Sequence, residues 1–291
     1  MLLLIGATGT VGKELVKELA GRGLAFRVLT RDPKKAEAIK RPGMEIVKGD
    51  LGQPDTLKKA LSGVERVFLL SSADPRQVEL EGNLIRAAKT AGIKFLVKLS
   101  AFNAGLAPAV RLLRWHGQVE DALRASDLPY AILRPHFFLQ NLFGFVPTIV
   151  GQGAIYAPLK DGKIAAVDVR DIARVAADVL TGEIKSGRVY ELTGPESLSF
   201  TEVADKISRA LGKTVKYLDV PPAEARKGMI GAGMPDWFAD ALLELYAYFS
   251  AGHGDRVTDT VKAVTGKPAR GLDDLLRDYR EVFAGKVPAA A

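Results

Sequence analysis

The regular alternation of short apolar runs with amphipathic helical segments is the strongest constraint on how this chain folds. Apolar strands separated by helices indicate a parallel sheet covered on both faces, and hence an α/β protein with a doubly wound parallel sheet. The predicted strands are Leu2–Ile5, Phe26–Thr30, Glu45–Val47, Arg66–Leu70, Lys94–Leu99 and Tyr130–Leu133, and the predicted helices are Val11–Arg22, Lys34–Lys40, Asp55–Ser62, Arg76–Ala91 and Ala107–Ser126.

The glycine-rich segment Gly6-Ala7-Thr8-Gly9-Thr10-Val11-Gly12 lies between the first strand and the first helix. In this context Gly6 permits a tight turn, Gly9 lets the backbone approach a pyrophosphate, and Gly12 allows close packing of helix on sheet. The pyrophosphate then lies at the helix N-terminus, where free N–H groups point. The segment predicts a dinucleotide-binding Rossmann domain; the alternative is a structural turn without a ligand.

The end of the second strand bears on the choice of cofactor. NAD-binding domains place an acidic residue there to accept hydrogen bonds from the ribose 2′-hydroxyl. This strand instead ends in Arg31, and Lys35 follows closely. Arg31 suits a 2′-phosphate through paired N–H···O bonds, so NADP(H) is favoured over NAD(H). Asp32 is the discordant residue, and we interpret it as the N-cap of the helix that Pro33 begins.

Other candidate cofactor contacts follow the later strands, because doubly wound sheets bind ligands at the carboxyl ends of their strands. Asp50 and Leu51 are expected near the adenine, and Leu70, Ser71 and Ser72 over the middle of the cofactor; Ser100, Pro135 and Phe137 complete the predicted set. Ordinary turn chemistry is the alternative for the Asp50 and Ser71 segments.

The alternation breaks after residue 134. A capped helix is predicted over Asp168–Thr181, a strand over Val189–Thr193 and a helix over Thr201–Leu211. We expect residues 1–135 to form the Rossmann domain, with residues 165–195 returning to it. Residues 136–164 and 196–285 are expected to form a smaller, mostly helical substrate lobe, and residues 286–291 a disordered tail.

Five motifs, taken in order, resemble those of the atypical short-chain dehydrogenases. They are GATGTVG at 6–12, GDL at 49–51, EDALRASDLPYAILRP at 120–135, VDVRDIA at 167–173 and GRVYELTGP at 187–195. Within these, the chain resembles the group of NmrA-like proteins, bacterial NADPH:quinone oxidoreductases and triphenylmethane reductases, and more distantly the isoflavone-reductase-like enzymes. The resemblance implies reduction of quinones or related dyes with NADPH.

One departure concerns catalysis. The usual Tyr-x-x-x-Lys pair is absent, because the helix Ala107–Ser126 contains neither tyrosine nor lysine. In the isoflavone-reductase-like relatives a lysine lies fourteen residues before the tyrosine that corresponds to Tyr130, and this place is taken by His116. The resemblance to the quinone reductases includes a histidine there. His116 is therefore the candidate catalytic residue, as a hydrogen-bond partner of the nicotinamide ribose or of a substrate oxygen; a structural hydrogen bond is the alternative.

The absence of the Tyr-x-x-x-Lys pair bears on which substrates the protein can reduce. A quinone spreads the incoming charge over its oxygens, so its reduction depends less on a strong dedicated acid than that of a ketone does, and the loss of the tyrosine is more tolerable. A flat acceptor needs an apolar slot, for which Phe102 and Phe138 are candidate walls. Gln140 and Asn141 are candidates to bind the carboxamide end. Most other phenylalanines, Phe143 and Phe145 among them, are expected in the core, and His136 and His253 are interpreted as structural.

Composition excludes several classes of function. The 291 residues include no cysteine and three dispersed histidines, so disulfides, thiolate metal sites and a cysteine nucleophile are excluded, and no metal site is expected. The net charge of +7 is spread along the chain rather than clustered, which argues against nucleic-acid binding. With no membrane span or signal peptide expected, we predict a cytoplasmic monomer or homodimer. The competing hypothesis is a non-catalytic, NADP(H)-sensing regulator with a protein partner.

Overall fold

The fold is built around one large parallel sheet. The computed structural model of the chain describes residues 1–288. Its strands are β1 (Leu2–Ile5), β2 (Phe26–Thr30), β3 (Met44–Lys48), β4 (Arg66–Leu69), β5 (Phe95–Leu99), β6 (Tyr130–Pro135), β7 (Ala154–Ala157), β8 (Arg188–Leu192) and β9 (Lys216–Asp219). Its helices are α1 (Thr10–Gly21), α2 (Pro33–Glu37), α3 (Asp55–Leu61), α4 (Gln77–Thr90), α5 (Arg111–Arg124), α6 (Val146–Gln152), α7 (Val169–Thr181), α8 (Phe200–Leu211), α9 (Pro222–Gly231), α10 (Asp236–Tyr248), α11 (Thr260–Thr265), α12 (Leu272–Asp278) and α13 (Arg280–Phe283).

The order of the seven strands in the main sheet is β3-β2-β1-β4-β5-β6-β8, and every neighbouring pair is parallel. The direction of winding reverses between β1 and β4, which places a topological switch point at their carboxyl ends. The predicted doubly wound α/β architecture is confirmed. Strand β8 pairs with β6 at the edge of this sheet, so a late segment of the chain completes the first sheet.

Two apolar layers cover the sheet. On one face α1 and α7 pack together over residues such as Leu4, Val28 and Val97. On the other face α3, α4 and α5 cover residues such as Leu3, Val67 and Leu96. Each fully buried Leu, Ile or Val contributes about 1.5–3 kcal/mol relative to exposure, so these two layers supply the main driving force for folding.

Residues 136–164 and 196–285 contain most of a third apolar cluster, formed by α6, α8, α10, α12 and α13. Strands β7 and β9 form a two-stranded parallel sheet beside it, which the sequence pattern did not predict. Helix α11 packs against α7 instead, and Val261 is buried in the core of the main sheet. The chain therefore passes between the third cluster and the main sheet more often than the sequence indicated.

Several predicted boundaries differ from the observed ones. Helix α5 begins at Arg111 rather than Ala107, because Ala107–Val110 forms a turn closed by the Val110 N–H and the Ala107 carbonyl. Helix α2 ends at Glu37 rather than Lys40. Of the predicted tail, residues 289–291 lie outside the described residues, and the Lys286 N–H donates to the Glu281 carbonyl. Within residues 1–288, no helix has the length and apolar character needed to cross a bilayer.

Candidate functional site

The three glycines of the β1–α1 turn differ in how much space their surroundings leave for a side chain. Gly6 has φ +78°, and a Cβ there would lie 2.4 Å from the Leu70 carbonyl oxygen. A Cβ on Gly12 would lie 2.1 Å from the Gly6 carbonyl oxygen, so the packing of α1 on the sheet requires glycine there. A Cβ on Gly9 would meet only the Gly6 oxygen, at 3.4 Å. The protein itself therefore tolerates a side chain at Gly9, and the exposed space above it is available to a ligand.

The N-terminus of α1 has no side-chain cap and no acidic residue in its first turn. Elsewhere caps are present, because Asp168 accepts a hydrogen bond at the start of α7 and Ser199 forms a capping box with Glu202 at the start of α8. The first N–H groups of a helix have no partner within it and attract anions. The turn from Gly6 to Gly12, including Ala7, Thr8, Thr10 and Val11, thus fits a dinucleotide pyrophosphate at α1.

The end of β2 exposes basic side chains near this turn. Arg31 and Lys35 are both exposed. The Asp32 carboxylate accepts a hydrogen bond of 3.0 Å from the Lys34 N–H and caps α2, as predicted. One oxygen of Asp32 therefore serves as a helix cap, and the cations beside it are exposed to a ligand.

The segment after β3 is more closed than predicted. The Asp50 carboxylate accepts a hydrogen bond of 2.9 Å from the Gly52 N–H, and the Leu51 side chain is buried beneath α3 and α4. At this edge of the sheet a ligand would meet the backbone of Asp50 and Leu51 rather than the Leu51 side chain. After β4, the Leu70 carbonyl lies against Gly6 and Ser72 is exposed.

Ser71, predicted as a cofactor contact, donates a hydrogen bond of 2.6 Å to Glu81 on α4. Glu81 forms a salt bridge of 2.7 Å with Lys98 on β5, and both side chains are completely buried. Gln77, the first residue of α4, donates to the same Glu81 oxygen at 3.2 Å. We call Ser71, Gln77, Glu81 and Lys98 the Glu81 array.

Ser100, the corresponding residue after β5, is part of a second group. Its hydroxyl donates at 2.6 Å to Glu120 on α5. Arg134 on β6 binds both oxygens of Glu120, at 2.9 and 2.6 Å, and Arg124 adds a contact of 2.7 Å. Burial raises the pKa of Glu120, but the bonds from Arg134 and Ser100 outweigh it, so the pKa lies below its ordinary value. We call Ser100, Glu120, Arg124 and Arg134 the Glu120 cluster.

His116 lies on α5 and is partly buried. The Gln77 amide nitrogen lies 3.1 Å from its Nδ1 and 3.4 Å from its Nε2. Because α4 begins where the chain leaves β4, this contact places His116 at the carboxyl edge of the sheet. Burial, together with the Lys98 ammonium, holds the pKa of His116 well below its usual range. His116 is therefore a neutral imidazole at physiological pH.

The predicted aromatic and amide residues fall into two sets. Phe137 and Phe138 are half-buried beyond the end of β6, and Asn141 is exposed. Phe102 is instead buried, because its ring lies 4.6 Å from that of His136 and beneath the Arg256 guanidinium at 4.8 Å. Gln140 is also buried, and its side-chain oxygen accepts a hydrogen bond from the Val169 N–H. Phe102 is thus a packing residue rather than an open wall, whereas the amide nitrogen of Gln140, the candidate for the carboxamide end, is buried without a hydrogen-bond partner among the described residues.

Other aromatic residues lie as the sequence indicated. Phe143 packs on Tyr279 and Phe283, and Phe145 on Phe200, and both are partly buried against the third cluster. The His136 ring lies between Phe102 and Phe249, and its Nδ1 accepts a hydrogen bond from the Phe137 N–H. Burial lowers the pKa of His136 to about 3, and His253 stacks on Tyr248.

Sequence reasoning did not identify the buried charges of the Glu81 array. The signal was present, since Lys98 lies inside an apolar strand and Glu81 lies on the apolar side of α4, between Leu80 and Leu84. A charged residue in a strand covered on both faces needs a buried counter-ion. Across the part of the chain that the structure describes, there is no cluster of three or more His, Asp or Glu that suits a metal ion.

Known proteins share this architecture. The NAD(P)H azoreductase of Xenophilus azovorans is 38% identical over 283 residues, which cover 97% of this chain and 99% of that protein. Quinone oxidoreductase 2 of Escherichia coli is 30% identical over 275 residues, with 94% and 96% covered. The crystal structure of NADPH-dependent quinone oxidoreductase from Escherichia coli, complexed with NADPH, has a TM-score of 0.88 at 29% identity, and covers 96% of this chain and 100% of its own.

The triphenylmethane reductase of Citrobacter sp., complexed with NADP(H), has a TM-score of 0.84 at 25% identity, with 96% of this chain and 99% of that chain covered. A model of the NmrA-like family matches residues 1–274. The match includes the glycine turn, the carboxyl edge of the main sheet and most of the third cluster. The chain therefore belongs to the NmrA-like family.

Proposed function

We propose that this protein is an NADPH-dependent oxidoreductase that reduces quinone-like or other conjugated small molecules. The observation that carries the proposal is the uncapped N-terminus of α1, with an open space above Gly9, at the switch point of the sheet. The likeness to an azoreductase and to a quinone oxidoreductase supports the reaction class. The proposed location is the cytoplasm, where NADPH is supplied.

The preference for NADP(H) over NAD(H) is part of the proposal. One oxygen of the Asp32 carboxylate caps α2, which accounts for an acidic residue at the end of β2 without a ribose 2′-hydroxyl. Arg31 and Lys35 are exposed and charged, which suits a 2′-phosphate. We expect Arg31→Asp to weaken NADPH binding by several-fold to a few hundred-fold, because one charge-assisted pair contributes about 1.5–3 kcal/mol.

The matched control for Arg31→Asp is Arg41→Asp. Arg41 is also exposed but lies before β3, at the amino edge of the sheet, so the net charge changes equally while the site does not. Titration of each variant with NADPH and NADH measures the difference. Equal losses for the two cofactors would remove Arg31 from 2′-phosphate recognition.

The residues of the site have distinct proposed roles. Bound NADPH supplies the hydride. The α1 amides hold the pyrophosphate, and the backbone after β3, β4 and β5, with Pro135 and Phe137, contacts the rest of the dinucleotide. Phe138 and Asn141 are the proposed contacts of the acceptor, in a lobe of residues 136–164 and 196–285. Neutral His116 provides a hydrogen bond at the nicotinamide end.

Turnover tests the proposed function. The purified protein with NADPH is assayed against a panel of benzoquinones, azo dyes and triphenylmethane dyes, by following the loss of NADPH absorbance. We expect oxidation well above the rate without protein. NADPH binding without turnover across the panel would overturn the proposal in favour of a non-catalytic, NADP(H)-sensing regulator.

Two glycine variants locate the cofactor in the same assay. Gly9→Ala is expected to fold normally, because its Cβ meets only one atom at 3.4 Å, yet to weaken NADPH binding about tenfold or more by filling the pyrophosphate space. Gly21→Ala, at the other end of α1 with nothing within 4 Å, is the matched control and should bind NADPH as the wild type does. Equal affinities for both variants would place the cofactor elsewhere.

A further inference from the structure

Tyr246 on α10 is a buried tyrosine whose hydroxyl has no partner. The residue is 6% exposed, and its ring lies 6.4 Å from that of Phe137. Within residues 1–288 the hydroxyl makes no hydrogen bond, and its oxygen is not among the fully enclosed polar atoms. Tyr217 in the same lobe follows the usual rule for a buried tyrosine, since its hydroxyl donates to the Ala157 carbonyl at 2.8 Å. The Tyr246 hydroxyl is thus left for a group outside the protein.

Packing alone does not account for this hydroxyl. A phenylalanine at position 246 would make the same ring contacts, and burying an unbonded hydroxyl costs free energy. Burial also raises the pKa of Tyr246 to about 12, so the hydroxyl keeps its proton over the physiological range. It is therefore a neutral hydrogen-bond donor without an acceptor among the described residues.

The second half of α10 contacts the chain beyond both β5 and β6. On one side, Leu245 and Tyr248 pack on the apolar cluster formed by the β5–α5 connection and the start of α5. On the other side, Tyr246 and Phe249 contact Phe137, with ring centroids 6.4 and 6.3 Å apart. Doubly wound sheets bind ligands where their strands end, so α10 brings Tyr246 to the end of the sheet that is proposed to hold the nicotinamide and the acceptor.

The direction of the Tyr246 side chain follows from the two faces of α10. Ala247 is exposed on the outer face, whereas Tyr246 and Phe249 are buried on the inner face. Because the Tyr246 ring lies against Phe137, its side chain is directed inward, toward the segment that follows β6.

We propose that Tyr246 is a further catalytic residue, which donates a hydrogen bond to an oxygen of a quinone-like acceptor bound beside Phe137. The proposal rests on the proposed function for the reaction, and it names a residue that the sequence motifs did not indicate. The helix α5 lacks the tyrosine of the Tyr-x-x-x-Lys pair, so a phenol on α10 supplies a donor from the other side of the acceptor.

The hydrogen bond acts on the charge that forms during reduction. The quinone accepts a hydride from bound NADPH, which becomes NADP⁺, and the added electron pair leaves a negative charge on the quinone oxygen. A proton from water then completes the hydroquinone. Tyr246 keeps its own proton throughout. Its hydrogen bond stabilises the charged oxygen more than the neutral one, which lowers the barrier to hydride transfer.

Titration with 4-nitrophenolate tests the hydrogen bond without turnover. The absorption of this flat oxyanion changes when its oxygen is hydrogen-bonded, and titrations with and without NADP⁺ contain no hydride donor. We expect Tyr246→Phe to bind it about tenfold more weakly than the wild type, because one hydrogen bond to a charged oxygen is lost. The matched control Tyr156→Phe removes an exposed hydroxyl that donates to Gln152, and should bind as the wild type does. Equal affinities of Tyr246→Phe and the wild type, or no binding to either, would overturn the proposal.

Reduction rates with two kinds of acceptor test the catalytic role. For a benzoquinone we expect Tyr246→Phe to lower kcat about tenfold or more, with KM for NADPH within about twofold. A cationic triphenylmethane dye takes the hydride on its central carbon and loses its positive charge, so no oxygen becomes charged. Its rate should therefore stay within about twofold. Equal losses for both acceptors would show that position 246 acts through packing, and would overturn the proposal.

Urea unfolding separates these effects from a folding defect. Tyr246→Phe loses no hydrogen bond among the described residues, so its unfolding midpoint should equal or exceed that of the wild type. Tyr217→Phe loses the bond to the Ala157 carbonyl and should unfold at a lower urea concentration. A clearly lower midpoint for Tyr246→Phe would show that its hydroxyl is bound within the protein, contrary to the proposal.

The two proposals fail separately. If the wild type binds NADPH without turnover, the proposed function fails, and the 4-nitrophenolate titration still decides this inference. If the wild type reduces only quinones, the quinone rates and the titration decide it. If quinones are reduced and Tyr246→Phe matches the wild type in rate and affinity, the proposed function stands and this inference fails.

Discussion

Two serine–glutamate pairs lie side by side at the carboxyl edge of the sheet. Ser71 after β4 donates to Glu81 on α4, and Ser100 after β5 donates to Glu120 on α5, each at 2.6 Å. Their counter-ions differ. Glu81 is paired with Lys98, which has no exposed side-chain surface, whereas Glu120 is paired with Arg134 and Arg124, whose side chains are 15% and 38% exposed.

The difference shows that the same serine–glutamate hydrogen bond can belong to two groups of residues with different effects. The bonds of the Glu120 cluster lead outward to guanidinium groups that reach solvent, so they tie β6 to α5. The bonds of the Glu81 array lead inward, through Gln77, to His116. We therefore expect changes in the Glu120 cluster to alter stability, and changes in the Glu81 array to alter stability and turnover together.

The largest effect is expected for Lys98→Met. It leaves the Glu81 carboxylate buried without a cation, and breaking a buried pair in this way costs about 3–5 kcal/mol of unfolding free energy. The double variant Lys98→Met/Glu81→Gln removes the unpaired charge, and an amide oxygen still accepts from Ser71. We expect it to regain most of the stability, measured by urea unfolding.

Turnover should not recover in that double variant. An amide at position 81 can either donate or accept, so it no longer dictates the orientation of Gln77. The kcat of the stable double variant is therefore expected to stay about tenfold below that of the wild type. Recovery of both stability and kcat would show that the buried charges have only a structural role.

Glu120→Gln is the corresponding change in the second group. An amide oxygen still accepts from Ser100, but Arg134 loses its two-oxygen carboxylate partner. Because hydrogen bonds to charged groups contribute about 1.5–3 kcal/mol, we expect a loss of about 2–3 kcal/mol in urea unfolding. The kcat of the folded enzyme should remain within about twofold, whereas Glu81→Gln in parallel should lower it. Equal losses of kcat would remove the distinction between the two groups.

His136, just beyond the strand that carries Arg134, gives the stability a pH dependence. Burial lowers its pKa to about 3 in the folded protein, while an unfolded histidine has a pKa of about 6.5. Below that value the unfolded chain takes up a proton that the folded chain does not. The contribution is therefore present above about pH 6.5 and is lost as the pH falls toward 3.

The size of this effect is about 2 kcal/mol between pH 7 and pH 5. Urea unfolding at the two pH values measures it, and His136→Phe isolates it, since all other groups titrate in both proteins. The variant should show a smaller change with pH by about that amount, whatever its absolute stability. An unchanged pH dependence would mean that His136 is protonated in the folded state.

Much of the fold could be predicted because it follows from local patterns. The apolar runs located all six strands of the first half, and the glycine turn located the start of α1, since strand burial and the Gly6 conformation depend on neighbouring residues. Asp32 was correctly interpreted as a cap for the same reason. Strands β7 and β9 were missed because each has four residues and is stabilised by a partner distant in sequence.

The candidate site was less predictable, because its polar contacts join separate elements. Ser71 and Ser100 were selected for their positions at strand ends, but the glutamates that bind their hydroxyls lie on helices 10 and 20 residues away. Phe102 was expected to form an open wall, yet Arg256 and His136 cover it from distant parts of the chain. Which face of an aromatic ring is covered depends on tertiary packing, which the local sequence does not specify.

The smallest effect is expected for Arg124→Ala, and it tests how open the Glu120 cluster is. Arg124 contacts Glu120 at 2.7 Å, one turn away on the same helix, but its side chain is 38% exposed. Helical pairs of this kind contribute about 0.3–0.5 kcal/mol, and Arg134 remains on both oxygens after the change. We therefore expect a loss of no more than about 0.5 kcal/mol in urea unfolding, with unchanged kcat. A loss above about 1.5 kcal/mol would mean that solvent does not replace the lost guanidinium. Glu120 would then depend on each of its cations as strictly as Glu81 depends on Lys98.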